Sequence, residues 1–223
     1  MNSMKKILSA ISLVFLLTYP NYGSAQSTEL DQLVNSIQKK YHRILSLSLE
    51  FTQTYNSPSE GMRRETGHLL LKKPGKMRWD YKEPEYKTFV SNGRVMYEYD
   101  PSDKYATKTP VKESDDMRTP FMFLLGQGNL KGDFKKIEFA QEAPAKGGNK
   151  VLRLFPKKDL DIRELLIEVD PRTVQIWRLS FVEDDGSRSD FLFNSIRENV
   201  PTNHDLFTFK PPAGVEVREE EDN

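Results

Sequence analysis

The sequence predicts a mainly β fold in which an antiparallel meander curls into a barrel or a strongly bent sheet. Three observations lead to this prediction. Apolar and polar residues alternate through many short segments, the segments recur at regular spacing, and turn-forming pairs such as Asn92-Gly93 and Asp170-Pro171 separate them. A chain of 223 residues is long enough for one such domain with a single core.

The N-terminal 25 residues are typical of a secretory signal peptide. Two lysines precede an uncharged, apolar run over residues 7–19, and three small residues ending at Ala25 follow it. A membrane-anchoring helix is the alternative, but the run is shorter than the roughly 20 residues that a bilayer span needs. We therefore expect export with cleavage after Ala25, a folded domain over residues 26–217 and a flexible acidic tail over residues 218–223.

An amphipathic helix is predicted over residues 28–46. Thr28 is placed to cap its N-terminus, and Glu29 and Asp31 lie in its first turn. Apolar residues recur at intervals of three and four, as one helical face requires. These residues are Leu30, Leu33, Val34, Ile37, Tyr41, Ile44 and Leu45.

The period then changes to two, which indicates β-strands. In the first predicted strand, residues 47–55, the side chains of Leu47, Leu49 and Phe51 share one face. The pair Asn92-Gly93 predicts a type I′ hairpin turn. The further strands are predicted over residues 67–72, 76–81, 86–91, 95–100, 134–140, 151–155, 164–170, 176–182 and 188–196.

A densely apolar segment over residues 119–126 interrupts the series of strands. Thr119 is placed as an N-cap, Pro120 stands at the first helical position, and Gly126 ends the segment, so a short helix is predicted. It would either plug one end of a barrel or act as a movable lid over a cavity.

Composition excludes several classes of protein. The chain has no cysteine, which excludes disulfides, thiolate metal sites, a cysteine nucleophile and a lipid-modified N-terminal cysteine. Without residues 1–25 it carries 31 basic and 33 acidic side chains, a formal charge of −2. That balance argues against a nucleic-acid partner.

No catalytic chemistry can be assigned from the sequence. His42, His68 and His204 are isolated from one another, and the nucleotide-binding and serine-nucleophile motifs are missing. The acidic pairs Asp115-Asp116 and Asp184-Asp185 are expected in solvated turns. We therefore expect no enzyme, no metal site and no cofactor.

The chain resembles the LolA family of periplasmic outer-membrane lipoprotein carriers. Each match is weak alone, but their order along almost the whole chain is specific. The matching residues are Phe51-Thr52-Gln53, Gly67, Leu69, Lys73-Pro74, Trp79, Pro84, Val90-Ser91, Gly93, Tyr99 to Pro101, Thr119-Pro120-Phe121, Phe207-Thr208-Phe209, Pro211-Pro212 and Gly214-Val215.

The resemblance implies an incomplete, strongly curved antiparallel β-barrel. In the family, an N-terminal helix and short central helices form a lid over a hydrophobic cavity. It also implies the cargo and the partners: triacylated lipoproteins, an inner-membrane ABC-type lipoprotein release complex and an outer-membrane lipoprotein receptor. We expect a monomer.

One residue departs from the family pattern. The family commonly has an arginine before the strand-turn proline, and its planar fork bonds backbone carbonyls of the lid; this chain has Lys73. Lysine keeps the charge without the fork, so the lid would be held closed less firmly. The alternative is an exposed turn lysine without that role.

The lining of the cavity follows from the strand faces and the lid. For each residue, ordinary core packing is the alternative. The candidate acyl-chain-binding residues are Phe51, Leu69, Leu71, Met77, Trp79, Tyr81, Val95, Tyr97, Phe121 and Leu124.

Three other functions compete with a carrier. A lipid- or lipopeptide-sensing domain that regulates a partner protein would bind a hydrophobic ligand without transferring it. A structural envelope protein with a filled barrel would bind no hydrophobic probe. An unrecognised hydrolase would turn over a lipid or ester substrate and would lose that activity when one polar residue is changed.

Overall fold

The computed structural model describes residues 22–111, 121, 124, 128–157 and 162–219. A single twelve-stranded sheet dominates this part of the chain, so the predicted fold class is confirmed. Helix α1 spans Tyr22–Arg43, the one-turn helix α2 spans Leu130–Asp133, and a 3₁₀ helix spans His204–Phe207. No helix among these residues has the length and apolar composition of a membrane span.

The strands lie close to their predicted positions, with two additions. The sequence did not predict β6 or β12, which are short and rich in polar residues. The bounds are β1 Ser46–Ser57, β2 Gly61–Lys72, β3 Lys76–Glu83, β4 Lys87–Ser91, β5 Val95–Tyr99, β6 Tyr105–Pro110, β7 Phe134–Phe139, β8 Lys150–Pro156, β9 Ile162–Asp170, β10 Gln175–Glu183, β11 Arg188–Glu198 and β12 Glu216–Glu219.

Two antiparallel meanders, β1 to β6 and β7 to β11, make up most of the sheet, and β12 adds a parallel strand beside β6. The order is β12-β6-β5-β4-β3-β2-β1-β11-β10-β9-β8-β7, and β1 joins the meanders by pairing with both β2 and β11. The sheet ends in two separate edge strands, β12 and β7, and is therefore unclosed.

Side-chain contacts show that the sheet is strongly curved. Trp79 of β3 and Phe191 of β11 are separated by β2 and β1, which on a flat sheet would put them roughly 14 Å apart at about 4.8 Å per strand. Their ring centroids are 5.7 Å apart. We call the face that carries these two rings the concave face and the opposite one the convex face.

Two local predictions need correction. Helix α1 begins at Tyr22 and ends at Arg43, so Thr28 lies within the helix and is not its N-cap. The turn after β4 is not type I′, because Gly93 has a positive φ of 92° and Asn92 does not. The Asn92 Oδ1 atom instead accepts hydrogen bonds from the backbone N–H groups of Arg94 and Val95.

The predicted tail is also shorter than expected. Arg218 and Glu219 belong to β12, which pairs in parallel with β6, and Lys108 forms an ion pair of 2.6 Å with Glu219. Residues 220–223 lie outside the described residues. So do residues 1–21 of the expected signal peptide, Asp115-Asp116 and most of the predicted short helix over residues 119–126.

Helix α1 covers the concave face. Its buried side chains belong to the same hydrophobic cluster as the inward-facing residues of the sheet, as the helical period predicts. These helix residues are Leu33, Val34, Ile37 and Tyr41. One continuous core therefore fills the space between helix and sheet.

Candidate functional site on the concave face

The concave face carries a group of aromatic rings that we call the aromatic cluster. Strand register accounts for its assembly: Trp79 pairs with Leu69 and Phe89, and Phe51 pairs with Phe193, so alternate residues of neighbouring strands share this face. Its members are Phe51, Trp79, Tyr81, Phe121, Phe181, Phe191 and Phe193.

Phe121 lies at the centre of the aromatic cluster. Its ring centroid is 4.6 Å from that of Trp79, 4.9 Å from that of Phe191 and 5.4 Å from that of Phe181. The first two contacts are edge-to-face, a favourable geometry for aromatic pairs. Only 3% of Phe121 is exposed. A residue that belongs to no strand thus occupies the middle of the concave face.

Most of the predicted lining residues are brought together. They belong to one buried cluster, and each is at most 7% exposed. These residues are Phe51, Leu69, Leu71, Met77, Trp79, Tyr81, Phe121 and Leu124.

Val95 and Tyr97 are the exceptions, because they lie on the convex face. Ser91 pairs with both Met77 and Met96, so Met96 is the residue of β5 that shares the concave face with Met77. Its two neighbours must then point outward, since a shift of one residue reverses the face. Tyr97 instead stacks on a phenylalanine of the C-terminal segment, with 5.2 Å between ring centroids.

Gly67 makes room for the ring of Phe51 directly across the β1–β2 pair. A Cβ atom at this position would lie 2.6 Å from Phe51 Cζ and 2.4 Å from the backbone oxygen of Asp80. No larger residue fits without a shift of the ring or of β3. Gly67 is one of the residues that match the family, and packing against Phe51 in the aromatic cluster explains why a glycine stands there.

Polar groups mark one end of the concave face, next to Tyr81. The Tyr81 hydroxyl donates a 2.7 Å hydrogen bond to Gln53 Oε1. Lys87 and Glu65 form an ion pair of 2.7 Å, and the Lys87 ammonium lies 4.4 Å from the centroid of the Tyr81 ring. The concave face is thus polar at this end, whereas Met77, near the other end of β3, belongs to the hydrophobic cluster.

Lys73 contacts the C-terminal end of helix α1. Its ammonium donates hydrogen bonds to the backbone oxygens of Tyr41, at 3.3 Å, and of His42. Burial holds the pKa of Lys73 below its usual range. A cation is favourable here because the carbonyls at a helix C-terminus carry partial negative charge. Lys73 is therefore not a free turn lysine.

Two further polar contacts fix α1 over the concave face. The Tyr41 hydroxyl accepts a 2.8 Å hydrogen bond from the backbone N–H of Ile176, and burial raises the pKa of this hydroxyl above its usual value. Gln38 accepts from the backbone N–H of Leu130 and donates to the backbone oxygen of Gly128. The helix is thereby joined to β10 and to the segment that leads into α2.

The sequence interpretation missed three of the seven residues of the aromatic cluster. Phe181, Phe191 and Phe193 lie in predicted strands, and their period of two could have identified them. It could not show that β10 and β11 curve round to meet β3. A second missed feature is the convex ion network, which consists of Glu142, Glu168, Arg178, Arg188 and Asp190.

Glu168 holds the loop between β7 and β8 against the convex face. Its carboxylate is 1% exposed and accepts hydrogen bonds from the backbone N–H groups of Ala145 and Lys146 and from the Asn149 side chain. Arg178, 8% exposed, lies 3.7 Å from it. Among the described residues, no group of three His, Asp or Glu side chains is placed to hold a metal ion.

Comparison with known proteins places these features in a family. Residues 42–210 match the family described as "Outer membrane lipoprotein carrier protein LolA". The chain is 29% identical over 215 residues to the outer-membrane lipoprotein carrier protein of Serratia proteamaculans, covering 95% of this chain and 97% of the relative. It is 28% identical over 216 residues to that of Proteus mirabilis, covering 96% and 98%.

Solved structures support the same fold. An uncharacterized conserved protein from Thermus thermophilus superposes with a TM-score of 0.54, covering 85% of this chain and 99% of that one. The two sequences are 10% identical, so the likeness shows the fold alone.

Proposed function

The chain belongs to the outer membrane lipoprotein carrier protein family, LolA, and from that membership we propose that it is a periplasmic chaperone for lipoproteins. It would bind the acyl chains of lipoproteins released from the inner membrane and carry them to an outer-membrane receptor. The family description names a carrier, so we assign the chain no reaction.

The position of Phe121 is the observation that carries this proposal. It fills the centre of the aromatic cluster, yet it comes from the segment between β6 and α2 and from no strand of the sheet. If the Phe121 ring leaves this position, the rings of Phe51, Trp79 and Phe191 line an apolar space. Phe121 would thus occupy the place that an acyl chain takes in the complex.

Apolar contacts suit a ligand that must later be released. Exposing an acyl chain to water costs about 0.8 kcal/mol per methylene, so a lipoprotein needs a lined cavity to cross an aqueous compartment. The contacts of the Phe121 ring in the aromatic cluster are apolar and include no hydrogen bond, so an acyl chain can replace them. Because lipid must displace Phe121, the affinity of the protein for lipid stays below the affinity that a preformed apolar cavity would have.

Lys73 is proposed to hold α1 closed over the concave face. Its ammonium reaches the carbonyls of Tyr41 and His42, which is the type of contact the family resemblance implies for an arginine. A lysine ammonium lacks the planar fork of arginine, so we propose a latch that opens more easily.

Location and partners follow from family membership and the expected signal peptide. We propose cleavage after Ala25, a folded domain that begins at residue 26, and monomeric transit between the two membranes. The partners would be triacylated lipoproteins, an inner-membrane ABC-type release complex and an outer-membrane lipoprotein receptor.

A release assay tests the carrier function. Inner-membrane spheroplasts with labelled lipoprotein would be incubated with the purified protein, and we expect label in the soluble fraction bound to it. No release, from spheroplasts whose release complex is active on another carrier, would contradict the proposal. Binding without onward transfer to outer membranes would instead indicate a sensing domain.

Two variants of Phe121 connect the assay to the aromatic cluster. In Phe121→Ala the acyl chain takes the place of the ring, so we expect release to persist, with a lower unfolding temperature for the empty protein. In Phe121→Glu a carboxylate would face the acyl chains at high desolvation cost, so we expect release to be lost. Equal release by both variants would show that Phe121 does not border the bound lipid.

A further inference from the structure

The indole N–H of Trp79 is a buried donor without a partner. Trp79 is 3% exposed, and its Nε1 atom makes no hydrogen bond. Two other buried side-chain nitrogens of the described residues share this condition. Arg153 Nε lies 3.1 Å from the Glu164 carboxylate, and Trp177 lies under the Lys146 ammonium, 3.8 Å from its ring centroid. Neither belongs to the aromatic cluster.

A donor in such a place is unusual. Buried polar groups in proteins nearly always have a hydrogen-bond partner, and the N–H of a buried tryptophan usually finds one. The adjacent inward-facing residue obeys the rule, because Tyr81 donates its hydroxyl proton to Gln53 at 2.7 Å. Phenylalanine at position 79 would fill much of the same space without burying a donor.

The position of Trp79 along β3 indicates what the donor would meet. Met77, Trp79 and Tyr81 are successive inward-facing residues, about 7 Å apart at 3.3 to 3.4 Å per residue. Met77 is 2% exposed and belongs to the hydrophobic cluster, whereas Tyr81 lies beside the Glu65–Lys87 ion pair. Trp79 lies between these two residues on β3.

We propose that the Trp79 indole N–H donates a hydrogen bond to the acyl carbonyl, ester or amide, at the root of a bound chain. This inference rests on the proposed function and specifies the chemistry that the site selects. It also fixes the direction of the lipid: the headgroup lies toward Tyr81 and Lys87, and the chain runs toward Met77 and Leu71.

One hydrogen bond would satisfy both the Trp79 N–H and the lipid carbonyl. A carbonyl that enters an apolar interior without a donor pays the same desolvation cost as the unpaired N–H, and one hydrogen bond between them removes both costs. The Phe121 ring lies edge-to-face with the Trp79 ring, with 4.6 Å between the ring centroids. Departure of Phe121 would uncover Trp79 at the moment the lipid enters.

A matched pair of lipids tests the inference on the full chain. The probes are a 1,2-diacylglycerol and the 1,2-di-O-alkylglycerol of equal chain length, which lacks only the carbonyls. The chain has two tryptophans, so an ¹⁵N-labelled sample shows two indole resonances, and Trp177→Phe assigns them. We expect the diacyl lipid to shift the Trp79 indole proton downfield and the dialkyl lipid to leave it without that shift.

Affinities give the second measurement. We expect the diacyl lipid to bind about three- to tenfold more tightly than the dialkyl lipid, the range of one neutral hydrogen bond. Trp79→Phe should remove the preference and keep the affinity for the dialkyl lipid. If this variant does not fold, the indole shift of the wild-type protein decides alone.

The outcomes separate this inference from the proposed function. Equal binding of both lipids, without a downfield shift, would overturn the role of Trp79 and leave the carrier function standing. Binding of neither lipid, together with failure of the release assay, would overturn both. A preference for the diacyl lipid that persists in Trp79→Phe would assign carbonyl recognition to another group and overturn the inference.

Discussion

Two patches on opposite faces of the sheet are buried to a similar degree and by opposite chemistry. On the concave face, Trp79 is 3% exposed among aromatic rings that contact it without hydrogen bonds. On the convex face, Glu168 is 1% and Arg178 8% exposed, and both are held by directional contacts in the convex ion network. Equal burial therefore does not imply an equal role.

The difference determines on which face a bound lipid can replace side-chain contacts. Apolar contacts are individually weak and interchangeable, so a lipid can replace Phe121 without breaking a hydrogen bond. Removal of Arg178 from the convex ion network leaves the buried Glu168 carboxylate without its cation, which an acyl chain cannot compensate. We interpret the convex face as the rigid support and the concave face as the exchangeable interior.

Arg178→Met should have the largest effect on stability. Breaking a buried charge pair while its partner remains costs about 3–5 kcal/mol, and Glu168 would stay buried. Chemical denaturation measures the loss. Arg172→Met is the matched control, because Arg172 is 89% exposed and its change should cost less than about 0.5 kcal/mol. Equal losses in the two variants would contradict the contrast between the faces.

Gly67→Ala should perturb the concave face by a smaller amount. The added methyl group would lie 2.6 Å from Phe51 Cζ, and overpacking of this kind typically costs about 1–3 kcal/mol. The displaced Phe51 should also alter lipid binding, which the release assay measures. Gly147→Ala is the control, since a Cβ there meets nothing within 4 Å. Unchanged stability and release in Gly67→Ala would show that Phe51 is not tightly held.

The sequence predicts the sheet more fully than the site. Periods of two locate the strands, because one buried face forces alternation. They do not show which residues of β5 point to the concave face, because Val95 and Met96 are both apolar. Only the pairing of β5 with β4 shows that Met96 does. The convex ion network was unpredictable for another reason: Glu142 and Arg188 are 46 residues apart and meet only when the loop folds onto β10 and β11.

Lys73→Met should weaken the closure of α1 by about 1 kcal/mol, the upper range for a cation at a helix C-terminus. Hydrogen exchange of α1 amides measures the change, and Lys73→Arg should match or exceed wild-type protection because its planar fork is pre-organised for two hydrogen bonds. Lys76→Met, at the first residue of β3, is the control. No faster exchange in Lys73→Met than in this control would refute the latch.

The smallest effect expected is a pH dependence confined to the convex face. Burial alone would raise the pKa of Glu142, but hydrogen bonds from Arg188 and Arg178 outweigh burial and hold this pKa below its usual value. A depressed pKa stabilises the fold above the unfolded value of about 4.3 and loses that contribution as pH falls through the folded pKa. The unfolding free energies of wild type and Glu142→Gln should therefore converge below about pH 4.3. Lipid release at pH 7 should be the same in both proteins, because Glu142 faces away from the concave face. A gap in stability that stays constant down to acid pH would show that the charge of Glu142 contributes nothing to holding the loop.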